Sequence, residues 1–178
     1  PELSPIAVID AIIAKKNLGT TKDMAPIVIG LGPGFEAGKD VDAVVETQRG
    51  HYLGSVIYSG FAAENTNIPG NIGGFTEERL IRSNSHGTVY PLKEIGDHVE
   101  KGEIVTKVGN QEVQASISGV IRGMINQGLE VAEGFKIGDI DPRNEKVYCH
   151  TISDKARSIA GGVLEAFLRL SNKNQKQL

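Results

Sequence analysis

Tryptophan is absent from this 178-residue chain and aromatic residues make up only 5% of it, so its core has to be built from aliphatic side chains. There is a single cysteine, Cys149, which excludes an internal disulfide and fits a reducing, cytoplasmic compartment. No apolar run approaches the roughly 20 residues that a membrane-spanning helix needs, and no signal peptide stands ahead of the first predicted helix. The formal net charge is only −3, and no Lys/Arg run occurs before the polar tail after Leu170. Both facts argue against nucleic acid and membrane as partners. What the chain has in excess is glycine, 22 residues where average usage gives about 12. Many glycines set among Val and Ile indicate a turn-rich β protein.

The pattern along the chain predicts an α+β, mostly β protein. Ser4-Pro5 reads as a helix start, with Ser as N-cap and Pro in the first turn, and the helix is expected to run to about Asn17. It is apolar almost all round from Ile6 to Ala14, with Asp10 the single polar break, so it is expected either to be buried on several sides or, the favoured reading for a chain-terminal helix, to dock on something outside the chain. Strands are predicted at Pro26–Gly30, Ala43–Thr47, Ser55–Tyr58 and Arg79–Arg82, with a long loop from Ala62 to Gly74. Lys146–His150 reads as a strand. Thr151-Ile152-Ser153-Asp154 fits a capping box opening a helix to about Ser171, with Ala156, Ile159, Ala160, Val163, Phe167 and Leu170 on its buried face. The tail Asn172–Leu178 is polar and expected to fray. The predicted divisions are residues 1–82, a helix and Gly-rich β subdomain; 83–142; and 143–178, a C-terminal helix packing back on the first part.

The middle division contains a repeat. Gly87, Gly96, Val99 and Gly102 recur as Gly119, Gly128, Val131 and Gly134 at a constant offset of 32 residues. Glycine pairs at fixed spacing meet the positive-φ demands of two turns, while Val99 and Val131 plug the core between them. The segment Gly96-Asp97-His98-Val99-Glu100-Lys101-Gly102 resembles the turn of the biotinyl/lipoyl-like fold, a barrel-sandwich hybrid of two hammerhead-like units. Carrier members of that fold hold a lysine at the hairpin tip, which here falls at about Val108-Gly109. Lys107 is adjacent but out of register, so the segment reads as a scaffold or interaction module.

Four further features are weighed as sites. Gly30, Gly32 and Gly34 follow a predicted strand and can cradle a phosphate with backbone N–H groups. Pro33 removes one donor, and no ribose-binding acid stands about 20 residues on, so the dinucleotide fingerprint is not met; a tight packing turn explains the glycines equally well. Arg49-Gly50-His51 can clamp a phosphate or carboxylate, with His51 a weak catalytic candidate, although an exposed turn is the commoner outcome. Cys149 is a second weak catalytic candidate, against the ordinary role of a free cysteine as a small buried hydrophobe. The four histidines show no metal-ligand spacing. Gly161-Gly162 inside the last helix costs roughly 1 kcal/mol per glycine, which indicates the close approach of a backbone or a ligand.

Val28-Ile29-Gly30-Leu31-Gly32-Pro33-Gly34-Phe35, Glu46-Thr47-Gln48-Arg49-Gly50-His51, Ile72-Gly73-Gly74, Ile137-Gly138-Asp139-Ile140-Asp141-Pro142-Arg143, Ile152-Ser153-Asp154-Lys155-Ala156-Arg157 and Gly161-Gly162-Val163-Leu164-Glu165-Ala166 together resemble the YqeB family of selenium-dependent molybdenum hydroxylase accessory proteins. The resemblance implies a cytoplasmic maturation role, with molybdopterin or a nucleotide as ligand. Gly30, Gly32, Gly34, Arg49, His51, Gly161 and Gly162 are then the expected cofactor-binding residues. A hydroxylase or its maturation machinery is the expected partner. Rival expectations are an interaction scaffold for hydroxylase subunits, an oligomer included, and a Cys149-dependent selenium or sulfur insertion enzyme. Members carry, ahead of this region, a dinucleotide-fold-like segment, so the resemblance also implies a fragment or a short member.

Overall fold

The apolar segments Ile6–Ile9 and Pro26–Leu31 are neighbours in space, and the first sheet grows from their pairing. The computed structural model describes residues 4–175, which fall into two units, one of residues 4–67 with 152–175 and one of Ile68–Thr151. In the first unit β1 (Val8–Asp10) runs parallel to β2 (Val28–Leu31), which runs parallel to β4 (Ala43–Val45). A fourth strand, β5 (Val56–Ile57), pairs antiparallel with β4 and completes the order β1-β2-β4-β5. The short strands β3 (Glu36–Ala37) and β6 (Gly60–Phe61) form a separate antiparallel pair. Every residue of β2 is buried, as expected of a parallel strand covered on both faces. Ile27, Ile29 and Leu31 face the helix α1 (Asp154–Gln175), while Val28 faces Phe35, Val41 and Val44 on the opposite side. Each such side chain contributes about 1.5–3 kcal/mol on leaving water.

The predicted N-terminal helix does not form; this stretch holds β1. A short apolar run is compatible with a strand as well as a helix, and Val8 and Ile9 are β-branched. Asp10 then ends the strand, its carboxylate accepting from the Ile12 N–H at 3.1 Å and from the Thr20 hydroxyl at 2.6 Å. Ile13 and Lys15 take left-handed backbone in the turn that follows, which no helix tolerates.

At the other end, α1 begins two residues later than the predicted capping box. Ser153, not Thr151, is the N-cap, its hydroxyl accepting from the Ala156 N–H at 3.2 Å, while the Thr151 hydroxyl donates to the Val147 carbonyl. The helix continues to Gln175, beyond the expected end, and residues 176–178 of the expected frayed tail lie outside those described. Its packed face is Ile159, Val163, Ala166, Phe167 and Leu170; Ala156 and Ala160 are exposed.

The second unit is the repeat in three dimensions. β11 (Gln111–Gln114), β10 (Ile104–Val108), β8 (Gly87–Pro91) and β13 (Glu130–Val131) make one antiparallel sheet. The other is made by β7 (Leu80–Arg82), β14 (Lys136–Asp141), β12 (Gly119–Met124) and β9 (His98–Val99). Adding 32 to any strand of the first copy converts one sheet into the other, and the pairing is exchanged between copies. The Gly96 N–H donates to the Ile121 carbonyl at 2.8 Å, and its equivalent, the Gly128 N–H, donates to the Val89 carbonyl at 2.9 Å. Gly96 and Gly128 hold φ of +98° and +86°, which only glycine adopts at little cost. One core serves both sheets, and ten of its twelve buried members come in pairs: Ile81 with Val113, Val89 with Ile121, Val99 with Val131, Val105 with Ile137, Val108 with Ile140.

One local expectation fails here and another shifts by a residue. Lys146–Cys149 is a turn of 3₁₀ helix and not a strand, because Asn144 before it takes φ +63° and the Tyr148 and His150 N–H groups fold back onto Glu145 and Val147. The hairpin tip between the two copies is Gly109-Asn110, closing β10 onto β11. Lys107 lies on β10, opposite Tyr90 and Glu112, and pairs with the Glu112 carboxylate at 3.4 Å.

Candidate functional site

β1, β2 and β4 run the same way, so their C-terminal ends lie at one edge of the sheet, the edge where open parallel sheets hold ligands. The loop after β2 is Gly32-Pro33-Gly34. Gly32 has φ +78° and donates its N–H to the Val45 carbonyl at 2.9 Å. A side chain there would overlap the Thr47 hydroxyl, and one on Gly34 would overlap the backbone of Lys16. These two glycines therefore let three loops meet: those after β1, β2 and β4.

The loop after β4 is set by Glu46. Its buried carboxylate accepts from the N–H groups of Thr47 and Gln48 and, through its other oxygen, from that of Ala63, each at 2.7 Å. With three backbone donors satisfied, Glu46 acts as a fastener for this turn. Arg49, next along, binds the Asp154 carboxylate with both guanidinium nitrogens, at 2.8 and 3.1 Å, which ties the loop to the first turn of α1. Lys155 follows Asp154. Desolvation pushes the Lys155 ammonium below its ordinary value, and the positive charges of Arg49 and Lys15 push the same way against Glu46. A half-buried lysine beside two other cations is where an anion gains most, because binding relieves their mutual repulsion. The α1 N-terminus adds its backbone dipole to that charge.

Of the expected binding residues, Gly32, Gly34 and Arg49 come together at this edge. Gly30 does not reach it, since it lies inside β2 with the Phe35 ring against its α-carbon. His51 lies on an exposed turn, edge-on to the Tyr52 ring at 5.0 Å between centroids. Gly162 is spent on helix packing, because a side chain there would overlap the Gly54 carbonyl, while Gly161 faces open space. Cys149 belongs to the second unit, where its thiol lies 3.6 Å from the Ile121 carbonyl. No cluster of three or more metal-ligating side chains occurs among the described residues. Lys15, Lys155 and Asp154 escaped notice as site residues. The signal for Lys155 and Asp154 was their position in the first turn of a predicted helix; Lys15 had none, because a helix was expected around it.

No family model matches the chain. It is 54% identical over 175 residues to the uncharacterized protein YqeB of Escherichia coli strain K12, a match covering 98% of this chain and 32% of that protein. The comparison supports the YqeB family. The chain spans about a third of the length of this curated relative. Three of the motifs that carry the YqeB resemblance, Val28–Phe35, Glu46–His51 and Ile152–Arg157, contribute to the one edge described above, although nothing in their spacing requires it. Among solved structures, an aspartoacylase family protein from Mesorhizobium loti aligns over 36% of this chain and 23% of that one, with TM-score 0.32 and 16% identity. The ectoine utilization protein EutE (DoeB) from Ruegeria pomeroyi aligns over 48% and 27%, with TM-score 0.30 and 13% identity. At that level neither bears on the site. No helix among the described residues is long and apolar enough to cross a membrane.

Proposed function

We propose that the chain is the part of a YqeB-family accessory protein that binds a phosphate-bearing ligand in the maturation of a selenium-dependent molybdenum hydroxylase. The observation that carries the ligand reading is the position of Lys155, half-buried in the first turn of α1 next to Asp154, which ties Arg49 and the loop after β4 to that turn. Lys15, Lys155 and the Gly34 turn would hold the phosphate of a molybdopterin or a nucleotide, with Arg49 completing the charge while it remains tied to Asp154. Such a ligand brings its own chemistry, and this edge contributes charge and orientation. The exchanged pairing of the two sheets in residues 80–141 supports assigning that unit to the barrel-sandwich hybrid folds, with one hammerhead-like unit per copy. Its hairpin tip of Gly109-Asn110 supports a scaffold role there in place of a carrier role.

Calorimetric titration of the purified chain with molybdopterin, ADP and inorganic pyrophosphate tests the ligand reading. Lys155→Ala is expected to weaken the binding at least about tenfold, since one desolvated charge-assisted contact amounts to about 1.5–3 kcal/mol. Affinity should decline as pH rises, because the anion binds the protonated lysine and Lys155 loses its proton below the ordinary lysine value. Absence of binding by the parent chain to all three compounds would sink the reading.

A further inference from the structure

The helix α1 packs chiefly on β2, β4 and β5, and β1 is the least covered strand of that layer. Ile9 of β1 is in register with Ile29 of β2, yet Ile29 is fully buried and Ile9 is 43% exposed. Among the described residues β1 has a neighbour on one side only. The residues flanking it are apolar and open: Ile6 is 72% exposed and Ile12 69%, with Ile13, Leu18 and Met24 exposed farther along the same segment. Ile6, Ile9 and Ile12 thus stand open on and beside a strand edge that has no partner among the described residues, an arrangement that soluble proteins ordinarily cover or charge.

The relative that matches this chain at 54% identity is about three times as long, so it has chain to spare that could cover this edge. We infer that the β1 edge, with Ile6, Ile9 and Ile12, is an interdomain docking surface, covered by another segment of the same polypeptide in full-length YqeB-family proteins. That segment must offer an apolar face beside α1 and, opposite β1, backbone able to pair or to shield the strand edge. The inference concerns a lateral edge of the sheet and holds whether or not the edge of Lys155 binds a phosphate.

Hydrogen exchange compares this chain with the full-length E. coli relative. Amides of residues 6–13 are expected to exchange at least about tenfold more slowly in the long protein. A double substitution, Ile9→Lys with Ile12→Lys, should restore fast exchange there and lower the melting temperature of the long protein by several degrees. The same pair should lower the melting temperature of this chain alone by much less, because Ile12 is already 69% exposed and Ile9 43%. Equal exchange in the two proteins overturns the inference. So does a concentration-dependent dimer of this chain that Ile12→Lys dissolves, since the edge would then belong to a second copy.

Discussion

Asp141 is the most heavily engaged charged side chain of the second unit. Its carboxylate is almost completely buried and accepts from Nε and Nη2 of Arg143 at 2.9 and 2.6 Å, from the Arg143 N–H at 3.1 Å and from Arg122 at 3.2 Å. The Arg143 guanidinium is held in turn over the Tyr148 ring, 4.5 Å from its centroid. The hydrogen bonds from Arg143 hold the Asp141 carboxyl below the usual carboxylate range; burial opposes them, and the charges of Arg143 and Arg122 add to them. A group whose folded value is depressed stabilises above its unfolded value, about 3.9, and loses that contribution as pH falls through the lower folded value. Asp141→Asn should therefore cost about 2–4 kcal/mol at neutral pH, leaving two arginines without their partner. The deficit should shrink once pH falls below about 4, because the parent protein then loses the same interaction. Urea unfolding at both pH values reads this directly, and a deficit independent of pH would show that the carboxylate charge is not what matters.

Gly161 and Gly162 look alike in the sequence, and the element they share separates them. A side chain on Gly162 would run into the Gly54 carbonyl, and one on Gly54 into the Ser158 carbonyl, so α1 and this loop approach backbone to backbone. At Gly161 a side chain would meet nothing. Gly161→Ala should therefore stabilise the protein by roughly 0.5–1 kcal/mol through helix propensity. Gly162→Ala gains the same propensity but must push a loop away, for a net loss of about 1–3 kcal/mol. Paired thermal melts decide it, and equal effects would remove the close-approach explanation. The same contrast shows what could be read before the fold was known. A costly glycine pair marks a close approach, but not which glycine makes it or against what. The strands Val28–Leu31 and Ala43–Val45 were legible because their apolar runs are short and bounded by glycine or polar residues. The expected helix over residues 4–17 fails because a short apolar run does not separate a strand from a helix, and the deciding contact, with Val28–Gly30, is remote in sequence. Arg49 and the Gly32–Gly34 turn were legible as a candidate site by residue type; their meeting with Lys155 depends on where α1 docks, which no local pattern encodes.

At the scale of the whole molecule, the constant offset of 32 residues proved more informative than any single motif. It extends beyond the four matched positions to β7 and β11, whose pairings Arg82↔Lys136 and Gln114↔Ile104 are equivalent under the same shift. Strand exchange between copies means that neither copy buries its own core alone; Val99 of the first pairs with Gly119 of the second, and Val131 of the second with Gly87 of the first. Symmetry of this kind predicts symmetric energetics. Val99 and Val131 are 3% and 5% exposed, occupy equivalent places and contribute to one shared core. Val99→Ala and Val131→Ala should each cost about 2 kcal/mol, between the values typical of losing one and three methylene groups, and should agree within about 0.5 kcal/mol. Because the two sites fill one core, the double variant should depart from additivity by about 0.5 kcal/mol or more. Denaturant melts of the two single variants and the double variant measure all three quantities. Costs differing severalfold, or a second transition in either single variant, would mean that the two copies fold as separate bodies and that the repeat is symmetric in outline only.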